Sequence, residues 1–563
     1  MGRALFIYPN ALHTPRGCVS MHAIPAGRDP RSSYSRHVTT RLLDFTRQGA
    51  PWPIRLWDVG SFLALEELYE AGVWVDRRVL SQSAVDWQRH ALERLLGDDP
   101  ALGSSVYRRE LREVLQTTLT LASDGRRKLR HLIDIGRPGY LDRWSSCAAA
   151  QEPPRAERVA RAVAAHLLDS GHSLAGVQRW LRGGHLNLSA TDLIAEASAL
   201  LARPPRQWRV VVPFRSLSRH EELAGWLPNW LTAEQTRPLM AGASAERHRE
   251  VVGGLSYSVE ARDAERAVEI VSDLVERLQA RARFTAAGAV VPLGEAYIGG
   301  EDRSFPLLLP PRGAQVLSLA AERQLYVVGQ DVQRFGEQAR STVDEALEIA
   351  SALNQGPLAP AIAGGWAALE SLLTEARDPD EREKVVAASR AAALVACSWP
   401  RAELTALSYR VREVPGDALP DKLAACASNR ERSTLIAAEL ECRDGLPLVR
   451  SWRTGSDVAS VFRMKALLAD RRRVLERVRG YLEVSLRRLY RCRNIVLHGG
   501  STGGVALPAT LRVTAPLVGA ALDRIAHSHL VAEVPPLALA SRAETALRMV
   551  DDDLGPGLCD LID

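Results

Sequence analysis

Apolar residues recur at helical spacing along most of this chain and give way to strand-like runs in one central stretch. Residues 1–150 read as mostly helical after a short extended start, with clear helical patterns over 61–69, 83–96 and 107–121. The segment 148–155, Ala-Ala-Ala-Gln-Glu-Pro-Pro-Arg, reads as a linker, because neither Pro153 nor Pro154 can join a helix interior. Two or three short helices are expected over 151–205, with turns at Gly171 and at Gly183-Gly184. Such a pair can dock on nucleic acid as a helix-turn-helix, but without a basic recognition face packing is the better account.

After Arg203-Pro204-Pro205 the period changes. The β-branched run 208–214 (WRVVVPF) predicts a strand, as do 255–261, 288–293, 305–309 and 324–328. Between the second and third lies an amphipathic helix over 263–282, with Ala267, Ile270, Val271, Leu274, Val275 and Leu278 on one face. Together these make an α+β module over about residues 206–335. Beyond 341 the strand signals vanish. Helices are expected over 344–353, 363–373, 381–397 and 402–411, then along 458–498 with a break or bend near Gly480. Gly499-Gly500 supplies the residue type that closes a helix in the left-handed conformation. A last helix over 508–530 precedes a tail ending in Asp551-Asp552-Asp553. The expected architecture is multidomain and mainly α. A helical N-terminal region (1–150), a small helical segment (151–205) and the α+β module (206–335) precede an all-α bundle (336–535) and a C-terminal tail (536–563).

Composition narrows the class. At 563 residues there is room for roughly three to four domains, and 46% apolar with 25% charged residues is ordinary for a globular protein. No apolar run approaches the roughly 20 residues that span a bilayer, and the one near Leu5 is too short for a secretion signal. Seven cysteines without a Cys-x-x-Cys pair argue against a disulfide framework or a thiolate zinc site. A reducing, cytoplasmic location is expected.

Charge matters through its placement. Between 461 and 500, eleven Lys and Arg face three acids, a local +8 in a chain whose total is only +5. An arginine-rich segment of this kind can be a solvated helix face, or it can hold a polyanion. If it binds RNA, Arg471, Arg472, Arg473, Arg487, Arg488 and Arg491 are the candidate contacts.

The same segment ends in Arg493-Asn494-Ile495-Val496-Leu497-His498-Gly499-Gly500. Cleaving RNA without a metal needs a base for the ribose 2′-hydroxyl, an acid for the leaving oxygen, and a cation for the phosphate. Histidine serves as base or acid near neutral pH, and arginine offers a fixed fork of donors. Asn494 and His498 are four apart and share a helix face, while the long Arg493 side chain can reach the same pocket. The bare spacing Arg-x-x-x-x-His is uninformative, since it occurs five times among thirteen histidines. Context separates this copy: it holds the one Arg-Asn dipeptide in the chain and closes a long basic helix.

Arg-polar-x-x-x-His near the end of a long helix resembles the signature of HEPN domains, all-helical modules found in many bacterial toxins and phage-defence ribonucleases. The small-residue pair after His498 is similar to the Apea-like branch, which also tends to carry an aromatic followed by Ala-Leu-Glu on an early helix. Trp366-Ala367-Ala368-Leu369-Glu370 stands at a fitting distance upstream. The resemblance spans about 340–530. It implies a helical ribonuclease domain with Arg493, Asn494 and His498 as catalytic residues and Glu370 orienting Arg493. It further implies a site formed across a homodimer, a 2′,3′-cyclic phosphate product, and neither metal nor other cofactor. The remaining residues would then sense or restrain, with a phage protein, a nucleic acid or a nucleotide as trigger. The competing expectation is a non-catalytic HEPN-type dimerisation or RNA-binding scaffold.

Other signals are weaker. His527 and His529 lack a neighbouring carboxylate or cysteine cluster for a metal. The basic run 126–131 reads as a solvated helix end, and Asp551 to Asp553 lacks calcium-loop spacing. There is no Walker phosphate loop and no nucleophile elbow.

Overall fold

Capping serines set five of the helix starts near the N-terminus. The computed structural model describes residues 30–217, 219–223, 227–284, 289–307, 311–316, 337–375, 385–443, 445–448 and 454–562. Helices α1 (Pro30–Thr46), α2 (Ser61–Asp76), α3 (Gln82–Gly97), α4 (Ser105–Leu115), α5 (Asp124–Gly136), α6 (Tyr140–Ala149), α7 (Ala156–Asp169), α8 (Leu174–Trp180) and α9 (Ala190–Ala202) follow one another. Ser81, Ser104, Ser123, Ser173 and Ser189 each accept a hydrogen bond from the amide three residues on, satisfying a donor the helix leaves open. The expected linker is the connection between α6 and α7.

The middle module is an antiparallel sheet ordered β2-β3-β1-β5-β6, with β4 also paired to β1. Its strands are β1 (Arg206–Ser216), β2 (Trp230–Thr232), β3 (Gly253–Ala261), β4 (Val291–Pro292), β5 (Glu295–Ile298) and β6 (Ser304–Pro306). One-turn helices α10 (His220–Leu223), α11 (Ala233–Thr236) and α12 (Ala245–Glu250) lie within the connections. Helix α13 (Ala264–Ala282) covers one face, starting at the Asp263 cap whose carboxylate accepts from the Arg266 amide at 2.8 Å. Trp208, Val210, Val212 and Phe214 alternate inward from β1 onto Ala267, Val271 and Val275, and this core is separate from the rest. The strands expected over 208–214 and 255–261 are β1 and β3. The run 288–293 gives only the two residues of β4, 305–309 gives β6, and 324–328 lies outside the described residues.

The C-terminal part comprises α14 (Glu337–Ile349), α15 (Leu358–Leu373), α16 (Val386–Ser408), α17 (Leu419–Ala425), α18 (Asn429–Cys442), α19 (Thr454–Ala469), α20 (Arg471–Leu497), α21 (Leu507–Ala532) and α22 (Pro536–Arg548). Three expectations are corrected here. Helix α16 runs straight through Pro400, where two helices were expected. The break in the long basic region falls at Asp470, whose side chain caps α20 by accepting from the Arg473 amide; Gly480 lies inside the helix. Residues 536–563 are no loose tail, because Leu539, Ala540 and Ala543 of α22 are buried in the same core as α16.

A single hydrophobic core runs from Val38 to Leu561 and bypasses the sheet module. The N-terminal and C-terminal helices therefore pack as one body. Trp57 meets Trp399 edge-on at 6.0 Å between ring centres, and the Ser485 hydroxyl donates to the Trp57 carbonyl at 2.5 Å. Among the described residues no helix is long and apolar enough to cross a membrane.

Candidate active site

Helix α20 presents Leu475, Val478, Leu482, Leu486 and Leu489 to the core at three- and four-residue intervals. That seam fixes its rotation and so fixes where Arg493 and Asn494 point. The helix ends at His498, whose amide donates to the Asn494 carbonyl at 2.9 Å. The Ser501 amide turns back to the Ile495 carbonyl at 3.3 Å, made possible by Gly500 at φ +62°. Gly499 is small for a different reason: a Cβ there would stand 2.7 Å from the Trp74 ring of α2.

The three motif side chains converge. One amino group of Arg493, Nη1, donates to Asn494 Oδ1 at 3.0 Å and to His498 Nε2 at 3.1 Å. A guanidinium has only donors, so His498 Nε2 is the acceptor in this hydrogen bond. Asn494 is buried, Arg493 is partly covered and His498 is exposed, so the cluster opens to solvent on the histidine side. The other amino group, Nη2, lies 3.8 Å from Glu370 Oε2. That carboxylate also accepts from Trp366 Nε1 at 3.0 Å, and the fully buried Trp366 ring lies 4.8 Å from the Tyr490 ring. Trp366 and Glu370 thus back the guanidinium from α15. Cys492, on the same helix, is buried, and burial pushes its thiol up to about 12.

The six arginines assigned to RNA contact do not form one face. Arg488 and Arg491 are corrected outright: both are buried, donating to the two oxygens of Glu67 on α2 at 2.9 and 2.7 Å. Burial pushes the Glu67 carboxyl up, but the two guanidiniums together hold it below the ordinary carboxylate value. Arg487 pairs with Glu483 and covers the Trp87 ring at 4.2 Å. Arg471 pairs with Glu441 at 2.7 Å, and Arg472 donates to the carbonyls of Arg548 and Val550. Arg472 and Arg473 are the two exposed members of the six. Of the eleven cations in the segment, Arg463, Arg471, Arg488, Arg491 and Arg493 pair with acids distant in sequence.

Elsewhere, Lys128 and Arg127 pair with Asp124, and Arg126 covers the Tyr69 ring at 3.7 Å, as expected of a solvated helix end. Sequence reasoning missed α2 as a neighbour of the motif. Glu67 sits in register with the buried Leu63, Ala71 and Trp74, and an acid on an apolar stripe was the available signal. Comparison with family models, with curated proteins and with solved structures gave no match for this chain.

Proposed function

We propose that this chain is a metal-independent endoribonuclease of the HEPN type, acting through Arg493, Asn494 and His498. The observation that carries the proposal is the pair of hydrogen bonds from Arg493 Nη1 to Asn494 and to the His498 ring. A phosphate drawn to the guanidinium competes for the donor that occupies His498 Nε2. Engaging the substrate therefore frees the lone pair that removes the ribose 2′-hydroxyl proton. The 2′-oxygen then forms its bond to phosphorus as the bond to the 5′-oxygen breaks, leaving a 2′,3′-cyclic phosphate. The departing 5′-oxygen takes a proton and becomes a hydroxyl. Arg493 stabilises the charge that builds on the phosphoryl oxygens, Asn494 holds its orientation, and Glu370 keeps the fork turned toward the site.

The resemblance of 340–530 to HEPN domains adds the source of the second proton: a facing copy of His498 in a homodimer. The exposed positions of Leu497 and His498 leave that end of α20 free for it. The same resemblance places such an enzyme in anti-phage defence or abortive infection, with the N-terminal helices as the regulating part. The test is to incubate the full chain with end-labelled RNA in excess chelator and to look for cyclic-phosphate ends. Cleavage by wild type and its loss in a folded His498→Ala protein are expected. RNA bound but left uncut by a folded dimer would instead establish the non-catalytic scaffold.

A further inference from the structure

Between α3 and α20, on the side of α20 opposite Arg493, lies a cavity of about 210 Å3. Most of its wall is apolar, with the rings of Trp87 and Tyr481 among the lining side chains. Gln88 also lines it. This residue is 4% exposed, and neither its amide nitrogen nor its amide oxygen finds a partner among the described residues. A buried amide with both ends unsatisfied is costly and rare in a folded interior, so it marks a place where a partner is expected. The cationic groups tell the same story. Arg488 spends Nε on Glu67 but leaves the buried Nη1 unpartnered, and Arg158 leaves Nε unpartnered while its Nη2 donates to the Leu95 carbonyl at 3.2 Å. Exposed Arg477 lies on the rim, and the carboxylates of Asp58, Glu67, Asp98 and Glu476 also line the cavity.

We propose that this cavity is a binding site for a single nucleotide, with the base among Trp87, Tyr481 and Gln88 and the phosphate on Arg158 and Arg477. Each part of the assignment follows from donor and acceptor chemistry. A carboxamide presents a donor beside an acceptor, which complements the donor–acceptor edge of a nucleobase. Aromatic rings bind bases by stacking irrespective of sequence. Guanidinium forks suit phosphate oxygens. The residues come from α3, α7 and α20, so the site exists only because the N-terminal helices pack against the motif helix. It stands apart from the RNA-cleaving reading and needs only the fold.

Isothermal titration of the full chain with AMP, GMP, CMP and UMP, and with ribose 5-phosphate as control, tests the proposal. At least one nucleotide should bind once per chain with Kd below about 100 µM, and ribose 5-phosphate at least about tenfold more weakly. Gln88→Leu should weaken that binding by about tenfold or more while raising the melting temperature of the unliganded protein, since it removes an unsatisfied amide. A merely structural glutamine would show no such opposition. If Gln88→Leu does not fold, Tyr481→Ala at a partly exposed position carries the same affinity test. No binding by any of the four nucleotides at about 1 mM overturns the site, as does affinity unchanged in both variants. Ribose 5-phosphate binding as tightly as the nucleotides overturns it too.

Discussion

The Glu67 carboxylate meets the Arg488 guanidinium at 2.9 Å with both side chains buried, although 421 positions separate them in the chain. Arg491 takes the other carboxylate oxygen, so one acid on α2 pairs with two cations of the helix that carries the motif. Truncating Glu67 to alanine leaves two buried guanidiniums without their hydrogen-bonded carboxylate and should cost about 3–5 kcal/mol. The double replacement Glu67→Leu with Arg488→Met should be less damaging than Glu67→Ala alone. Because the folded carboxyl is held below its ordinary value, its contribution is present above the unfolded carboxylate pKa and is lost as pH falls through the depressed folded one. Urea unfolding measures the loss; a change under about 1 kcal/mol for Glu67→Ala would contradict the clamp.

His166 makes stability fall with acid well before the carboxylates titrate. Its ring is buried between Phe62 and Tyr140, and burial, aided by Arg137, Arg143 and Arg262, pushes it down to about 3. Below pH 6.5 the unfolded chain takes up a proton that the folded chain refuses, so the folded state loses ground as pH falls. Between pH 6.5 and 4.5 this amounts to about 2–3 kcal/mol. His166→Phe, which cannot protonate, should flatten that part of the stability–pH curve. An unchanged slope in a folded variant would show that His166 is not the group responsible.

The basic segment should read RNA through its exposed members only. Replacing Arg472 and Arg473 by glutamine removes two of its surface charges, and the dependence of log affinity on log salt should flatten by about 1–2 units. Arg488→Met should leave that slope unchanged, since a buried guanidinium paired to Glu67 releases no counterion from RNA. Filter binding across a salt series separates the two. Equal flattening by both variants would mean that the segment opens to bind.

What the sequence could reveal depended on how local the cause was. Helix α13 was legible to within one residue because its cap, Asp263, and its apolar stripe lie in one continuous stretch. The grouping of Arg493, Asn494 and His498 was legible too, since helical spacing alone brings them together. The fate of Arg488 and Arg491 was not, because their partner is Glu67, far off in the chain. Asp470 rather than Gly480 breaks the basic helix because a side-chain cap stops one helix and starts the next, whereas a glycine costs only about 1 kcal/mol in a helix held by its packing. Pro400 likewise failed to end α16, because Ala396, Trp399, Leu404 and Leu407 are buried on both sides of it. Another Arg-x-x-x-x-His match, Arg161 with His166, shows the converse: His166 is a core ring.

The strongest test of the catalytic assignment is a pattern across substitutions at one cluster. On the proposed mechanism His498→Ala removes the group that accepts the 2′-hydroxyl proton, and it should slow cleavage by about 10²-fold or more. Arg493→Ala should fall comparably, because the phosphoryl oxygens lose their nearest fixed cation. Arg493→Lys should rescue little: an ammonium keeps the charge but cannot span Asn494, His498 and Glu370 at once from a planar fork. Asn494→Ala should be milder in rate, since Asn494 orients Arg493 and transfers no proton. Glu370→Gln should be milder still, because the amide oxygen can still accept from Trp366 and only the 3.8 Å charge pairing with Arg493 is weakened. His498 is exposed and its loss leaves the core intact, so the thermal midpoint of His498→Ala should match wild type. Single-turnover cleavage beside thermal unfolding reads both halves of the pattern. A folded His498→Ala protein cutting RNA at the wild-type rate would falsify the assignment, whatever the other variants did.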